Sequence, residues 1–90
     1  MPNEVHVMIV EDESIVAMDL AAGLEHDGYK VVGIADNYTD ALKLFTEETV
    51  DILLMDINIH GDKDGVETAT ELMKMKQVPL IYLTAFTDAK

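Results

Sequence analysis

Residues 50–58, which read VDILLMDIN, contain four consecutive apolar residues, Ile52 to Met55, that run directly into the carboxylate of Asp56. A short run that is apolar on both faces is typical of a central parallel strand, buried on both sides of its sheet. Asp56 then lies at the carboxyl end of this strand, the edge of an open α/β sheet where ligands and chemistry collect. We therefore interpret the rest of the chain as building a functional site around Asp56.

Three other segments are predicted to be strands because each is short, apolar and rich in β-branched or large apolar residues: 5–10, 30–35 and 79–83. Helical patterns separate them, so the order is βαβαβαβ. This alternation predicts one domain over residues 1–90, an α/β fold with a doubly wound parallel sheet, right-handed crossovers and helices on both faces.

Three helices are expected between the strands. The first is predicted to have Ser14 as its N-cap and to stop at Gly28, and the second is predicted to have Thr39 as its N-cap. The third is expected over 65–76, where Asp64-Gly65 forms a turn and helix start and glycine gives backbone freedom. Apolar residues at helical spacing are expected to face the core: Val16, Ala17, Leu20, Ala21 and Leu24, then Ala41, Leu42 and Phe45, then Val66, Ala69, Leu72 and Met73.

Composition narrows the class of protein. The 90 residues are 49% hydrophobic with a mean hydropathy of +0.11, which predicts a single globular domain. No apolar run is long enough to span a bilayer, the N-terminus does not resemble a signal peptide, and there is no cysteine, so we expect a cytoplasmic location. Eighteen acidic against six basic residues give a net charge of −12, which argues against direct binding to nucleic acid or membrane and suits cations or basic partners.

Polar side chains follow three predicted strands directly: Glu11 and Asp12 after the first, Asp56 after the third and Thr84 after the fourth. Crowded carboxylates repel, so one must hold a proton or the group must share a cation. Hard oxygen ligands suit Mg²⁺. Asp56 could then attack a phosphoryl group, and the Thr84 hydroxyl could steady its oxygens. His60 is expected to be a solvent-facing loop residue.

Four motifs carry a family resemblance: Val10-Glu11-Asp12-Glu13, Leu54-Met55-Asp56-Ile57-Asn58, Asp64-Gly65 and Leu83-Thr84-Ala85. With this spacing the chain resembles the receiver domain of two-component response regulators. The resemblance implies a flavodoxin-like three-layer αβα fold with strand order 2-1-3-4 in this chain.

The resemblance also implies a role for each site residue. Glu11 and Asp12 would bind Mg²⁺ together with Asp56, and Asn58 would give its backbone carbonyl to the metal. Asp56 would accept a phosphoryl group from a histidine kinase or phosphotransfer protein. Thr84 would contact that group and move on activation.

Two departures from the family pattern are visible. The loop from Asp56 to Gly65 is one residue longer than usual, and His60 replaces a frequent proline; this variant resembles a recognised subset of receivers. The similarity also stops just after strand 4, so the chain resembles an incomplete receiver without helix 4, strand 5 and helix 5. The strand 5 lysine of the family is then absent, since Lys90 is too near Thr84 to replace it. We expect the exposed edge of strand 4 to favour a homodimer or higher self-association.

Two functions stay open at this point. The first is a phosphoacceptor switch of a phosphorelay, with no enzymatic activity beyond self-catalysed phosphotransfer and dephosphorylation at Asp56. The alternative is a phosphorylation-incompetent receiver fragment that acts as a protein interaction or dimerisation module. A hydrolase of the aspartyl-phosphatase type would need a second acid where Asn58 stands, and a dinucleotide-binding domain would need a G-x-G-x-x-G motif after strand 1, which this sequence lacks.

Overall fold

The structure, a computed structural model, describes residues 4–83 and contains the predicted alternation of strands and helices. In chain order the elements are β1 (His6–Val10), α1 (Ser14–His26), β2 (Lys30–Ala35), α2 (Tyr38–Glu47), β3 (Ile52–Asp56), α3 (Gly65–Met75) and β4 (Leu80–Leu83). Among the helices of this part of the chain, none combines the length and apolar character that crossing a bilayer requires.

The strands form a parallel sheet in the order β2-β1-β3-β4, which confirms the predicted fold class and strand order. The register brings the carboxyl ends of the strands level. Val10 at the end of β1 pairs with Ala35 of β2 and Met55 of β3, and Asp56 pairs with Leu83 of β4. The residues at and directly after the carboxyl ends of β1 and β3 therefore lie at one edge of the sheet.

Each face of the sheet has its own apolar core, because successive side chains of a strand point to opposite faces. On one face Val7 and Ile9 of β1 pack with Ala17 of α1. On the other face Met8 packs in the cluster that includes Leu72 of α3. The helices thus cover both faces of the sheet, which confirms the three-layer αβα arrangement.

The predicted N-caps of the first two helices are wrong by one or two residues. The N-cap of α1 is Glu13, and Ser14 is the first helical residue. The N-cap of α2 is Asn37, whose side-chain oxygen accepts a hydrogen bond from the backbone N–H of Asp40 at 2.9 Å, so Thr39 lies inside the helix. The predicted stop of α1 is confirmed, since Gly28 follows the helix with φ +98°, a left-handed conformation that favours glycine.

Two valines that the helical pattern assigned to the core lie at its rim. Val16 of α1 is 44% exposed and Val66 of α3 is 46% exposed. The inward positions beside them are taken by Ala17 and Ala69, each only 1% exposed.

Candidate functional site

Three carboxylates meet at the carboxyl edge of the sheet. Glu11 and Asp12 follow β1 directly, and Asp56 is the last residue of the adjacent strand β3. One carboxylate oxygen from each of the three lies within 4.8 Å of the others. Glu11 is 6% and Asp56 4% exposed, while Asp12 is half-buried. The structure therefore brings together the three acidic residues that the sequence indicated.

Backbone N–H groups hold two of these carboxylates. The N–H of Glu13 donates to Oε2 of Glu11 at 3.1 Å, and the N–H of Asn58 donates to Oδ1 of Asp56 at 3.0 Å. Each donor lies two residues after its acceptor, so the turn at the carboxyl end of each strand fixes the carboxylate there. These contacts occupy one oxygen of each carboxylate.

Burial raises the pKa of Glu11 from its ordinary value of 4.5 to about 7. The hydrogen bond from the Glu13 backbone acts in the opposite direction, and the neighbouring carboxylates of Asp56 and Asp12 raise the pKa further. Burial and the two neighbouring carboxylates thus both disfavour the ionised form of Glu11. Either a proton or a bound cation relieves that repulsion.

The donor set fits a hard divalent cation. Glu11, Asp12 and Asp56 offer oxygen ligands only, and Mg²⁺ is held in proteins by one or two carboxylates together with water. Asn58, the fourth predicted ligand, is an exposed residue of the turn after β3. The role of its backbone carbonyl stays a prediction. Thr84 lies outside the described residues and its role is likewise a prediction.

The loop after β3 returns very close to the site. The N–H of Gly65 donates to the carbonyl of Ile57 at 3.0 Å, and a Cβ at Gly65 would lie 2.0 Å from the carbonyl oxygen of Asp56. The glycine is therefore required for space; the prediction that it supplies backbone freedom is wrong, because Gly28 and Gly61 are the positive-φ glycines among residues 4–83. Asp64 closes the loop as the N-cap of α3 in a capping box with Glu67.

Sequence reasoning missed one contact of the site. The His60 side chain is 92% exposed, as expected of a loop residue, but its Nδ1 contacts Oδ2 of Asp12. The two residues are 48 positions apart, and no local pattern indicates that they meet. Only the observation that β1 and β3 are neighbours, so that their following loops share an edge, could have suggested it.

Comparison with known families agrees with this geometry. The sequence model of the response regulator receiver domain matches residues 7–90. The chain belongs to the family of response regulator receiver domains.

Two curated relatives are named as regulators and are longer than this chain. The chain is 35% identical over 83 residues to the phyllosphere-induced regulator PhyR of Methylorubrum extorquens, an alignment that covers 91% of this chain and 31% of the relative. It is 36% identical over 82 residues to the transcriptional regulatory protein PdtaR of Mycobacterium tuberculosis, covering 91% of this chain and 40% of the relative. The chain thus spans well under half the length of these relatives.

Solved structures show the same fold. The signal receiver domain of a modulated diguanylate cyclase from Desulfovibrio desulfuricans superposes with a TM-score of 0.87 at 39% identity, covering 93% of this chain and 67% of the other. The anti-anti-sigma factor PhyR of Bartonella quintana, crystallised in complex with the anti-sigma factor NepR, superposes with a TM-score of 0.85 at 30% identity, covering 94% of this chain and 35% of the other.

Proposed function

We propose that this receiver domain is a phosphoacceptor switch that takes a phosphoryl group onto Asp56 from a histidine kinase or phosphotransfer protein. The observation that carries the proposal is the meeting of three carboxylates within 4.8 Å at the carboxyl edge of the sheet, with Asp56 at the end of a central strand. Membership of the receiver family supports the same role.

The transfer forms one bond and breaks one. A carboxylate oxygen of Asp56 attacks the phosphorus of a phosphohistidine, the P–N bond breaks, and the imidazole leaves with the electron pair and takes a proton from solvent. Asp56 is suited to this because the Asn58 N–H holds its Oδ1 at 3.0 Å, which fixes the orientation of the carboxylate at the end of β3. The hydrogen bond orients the nucleophile before the donor arrives.

Glu11, Asp12 and Asp56 would hold Mg²⁺, with the backbone carbonyl of Asn58 as a further ligand. The ion, when bound, neutralises negative charge on the carboxylates and on the phosphoryl oxygens. Backbone hydrogen bonds orient two of these carboxylates: the Glu13 N–H holds Glu11, and the Asn58 N–H holds Asp56. Thr84 would contact the transferred phosphoryl group through its hydroxyl.

In this role the domain is a signalling protein of the cytoplasm and not an enzyme with an external substrate. Its chemistry is limited to self-catalysed phosphotransfer onto Asp56 and later hydrolysis. The net charge of −12 suits a partner with a basic docking surface.

The test is the intact mass of the protein after incubation with acetyl phosphate, with and without Mg²⁺. We expect a single phosphoryl adduct that needs Mg²⁺ and disappears in Asp56→Asn. Asp51→Asn, at the opposite end of β3, is the matched control and should be phosphorylated as the wild type is. A folded wild-type protein that gains no adduct would refute the proposal.

A second candidate is a receiver that binds a protein partner without being phosphorylated. The complex of PhyR with the anti-sigma factor NepR supports it, because this chain resembles part of a protein that was crystallised with a protein partner. The absence of any adduct from a protein with an intact circular dichroism spectrum would favour this candidate.

We also propose that the open edge of β4 can pair with a second copy of the chain. In the described residues β4 bonds only to β3, and Ile81 and Tyr82 are 52% and 40% exposed. An edge strand with exposed apolar side chains is a template for further pairing. Light scattering over a wide concentration range should show a dimer or larger species, and a strictly monomeric protein would contradict this.

A further inference from the structure

One side chain outside the carboxylate cluster contacts it. His60 extends from the loop after β3, and its Nδ1 touches Oδ2 of Asp12. The imidazole is otherwise 92% exposed, whereas the Asp12 side chain is only 16% exposed. Among residues 4–83 this is the one hydrogen bond that the His60 side chain makes, so the Asp12 carboxylate orients the ring.

The chemistry of the two groups fixes the direction of the hydrogen bond. An ionised carboxylate only accepts hydrogen bonds, so the contact requires a proton on Nδ1 of His60. Oδ2 of Asp12 is then occupied, and rotation of the carboxylate about its Cβ–Cγ bond is restricted. The other oxygen, Oδ1, is free of this contact.

His60 does not belong to the cluster itself. In the described part of the chain, the side chains whose ligand atoms lie within 4.8 Å of one another are Glu11, Asp12 and Asp56. His60 therefore acts on the site through Asp12. Carboxylates and imidazoles that ligate metals are commonly held in this way by a hydrogen-bonding partner, and loss of such a partner weakens metal binding by about 10- to 100-fold.

We propose that His60 is a positioning residue that holds Asp12 ready to bind a divalent cation. The inference rests on the proposed function, because it requires that the cluster binds Mg²⁺. Without the imidazole, Asp12 is free to turn toward solvent and away from the other two carboxylates, which repel it. Binding then has to order a side chain that His60 otherwise holds in place.

The test is the Mg²⁺ affinity of the full chain, measured by calorimetry, with Mn²⁺ and electron paramagnetic resonance as a second readout. His60→Leu removes the hydrogen-bond donor and keeps a side chain of similar size. His60→Asn keeps a donor, because the amide nitrogen of asparagine takes the place of the imidazole Nδ1. His26→Leu, at an exposed histidine at the end of α1, is the control.

We expect about a tenfold weaker affinity for His60→Leu, the low end of the range because the ring is largely exposed. His60→Asn should recover most of the loss, and His26→Leu should bind as the wild type does. If His60→Leu binds Mg²⁺ as tightly as the wild type, or if His60→Leu and His60→Asn lose the same affinity, the role of His60 is refuted while the proposed metal site still stands. A folded wild-type protein that binds neither ion overturns the proposed metal site as well.

Discussion

Replacing Glu11 by glutamine is expected to stabilise the metal-free protein at pH 8. Glu11 is 6% exposed and lies beside two other carboxylates, and its pKa is raised from 4.5 to about 7. At ~1.4 kcal/mol per pKa unit, ionising this group in the folded protein costs about 3 kcal/mol relative to the unfolded chain. Glutamine has nearly the same shape and carries no charge, and its side-chain oxygen can keep the hydrogen bond from Glu13.

The sign of the pH dependence follows from which state holds the proton. Below pH 4.5 Glu11 is protonated in both states and contributes no difference. Between pH 4.5 and about 7 the unfolded chain releases the proton while the folded protein keeps it, so the free energy of unfolding falls as pH rises. Above about pH 7 the full penalty is present. Glu11→Gln should therefore be similar to the wild type at pH 4.5 and about 2–3 kcal/mol more stable at pH 8.

The assay is urea unfolding followed by circular dichroism, with a chelator present, at half-unit pH steps from 4.5 to 8. We compare the free energies of unfolding of Glu11→Gln and wild type at each pH, because the titration of the other seventeen carboxylates is common to both proteins and cancels in the difference. Glu47→Gln, an exposed position in the last turn of α2, is the control and should shift stability by less than about 0.5 kcal/mol at every pH. A constant difference between Glu11→Gln and wild type from pH 4.5 to 8 would refute the reasoning.

Three further changes test the surroundings of the site and the opposite end of the sheet. Gly65→Ala should destabilise by about 2 kcal/mol or more in thermal unfolding, because its Cβ would lie 2.0 Å from the carbonyl oxygen of Asp56; an unchanged Tm would contradict the close approach. Asp64→Ala should lose about 1 kcal/mol in urea unfolding through loss of the capping box, and Asp64→Asn should retain most of it. The backbone N–H of His6 donates a hydrogen bond to the Asp51 carboxylate, and this bond, followed by the one with the His6 ring, lowers the pKa of Asp51. The wild type should therefore be more stable than Asp51→Ala at neutral pH, and this advantage should disappear as pH falls below about 3.8. An advantage that grows on acidification would contradict this.

Much of the order and position of the strands and helices is predictable from short-range sequence patterns. The buried run of β3 and the segment of β2 were both identified by their own apolar and β-branched residues, with the observed bounds for β2. The carboxylate cluster followed from placing residues after strands, since parallel topology brings those positions together. No contact had to be known in advance to group Glu11, Asp12 and Asp56.

Other features depend on distances that a sequence does not contain. Asn37 and Thr39 are both good N-cap residues, and only the path of the backbone decides that Asn37 reaches the N–H of Asp40. The helical pattern could not show that Ala17 is buried while its neighbour Val16 lies at the rim of the core. The contact of His60 with Asp12 joins two loops that are remote in the chain.

The loop after β3 is tied at both ends, by the Asp56–Asn58 hydrogen bond at its start and the Gly65–Ile57 hydrogen bond at its close. Its exposed middle, which includes Gly61 with φ +119° and Asp62, is therefore separated from the backbone that carries Asp56. The sequence contains no cysteine, so Asp62→Cys would introduce a single thiol for a fluorescent label. Such a label would be two residues from His60, whose side chain contacts Asp12, so its fluorescence would report changes at the carboxylate cluster optically.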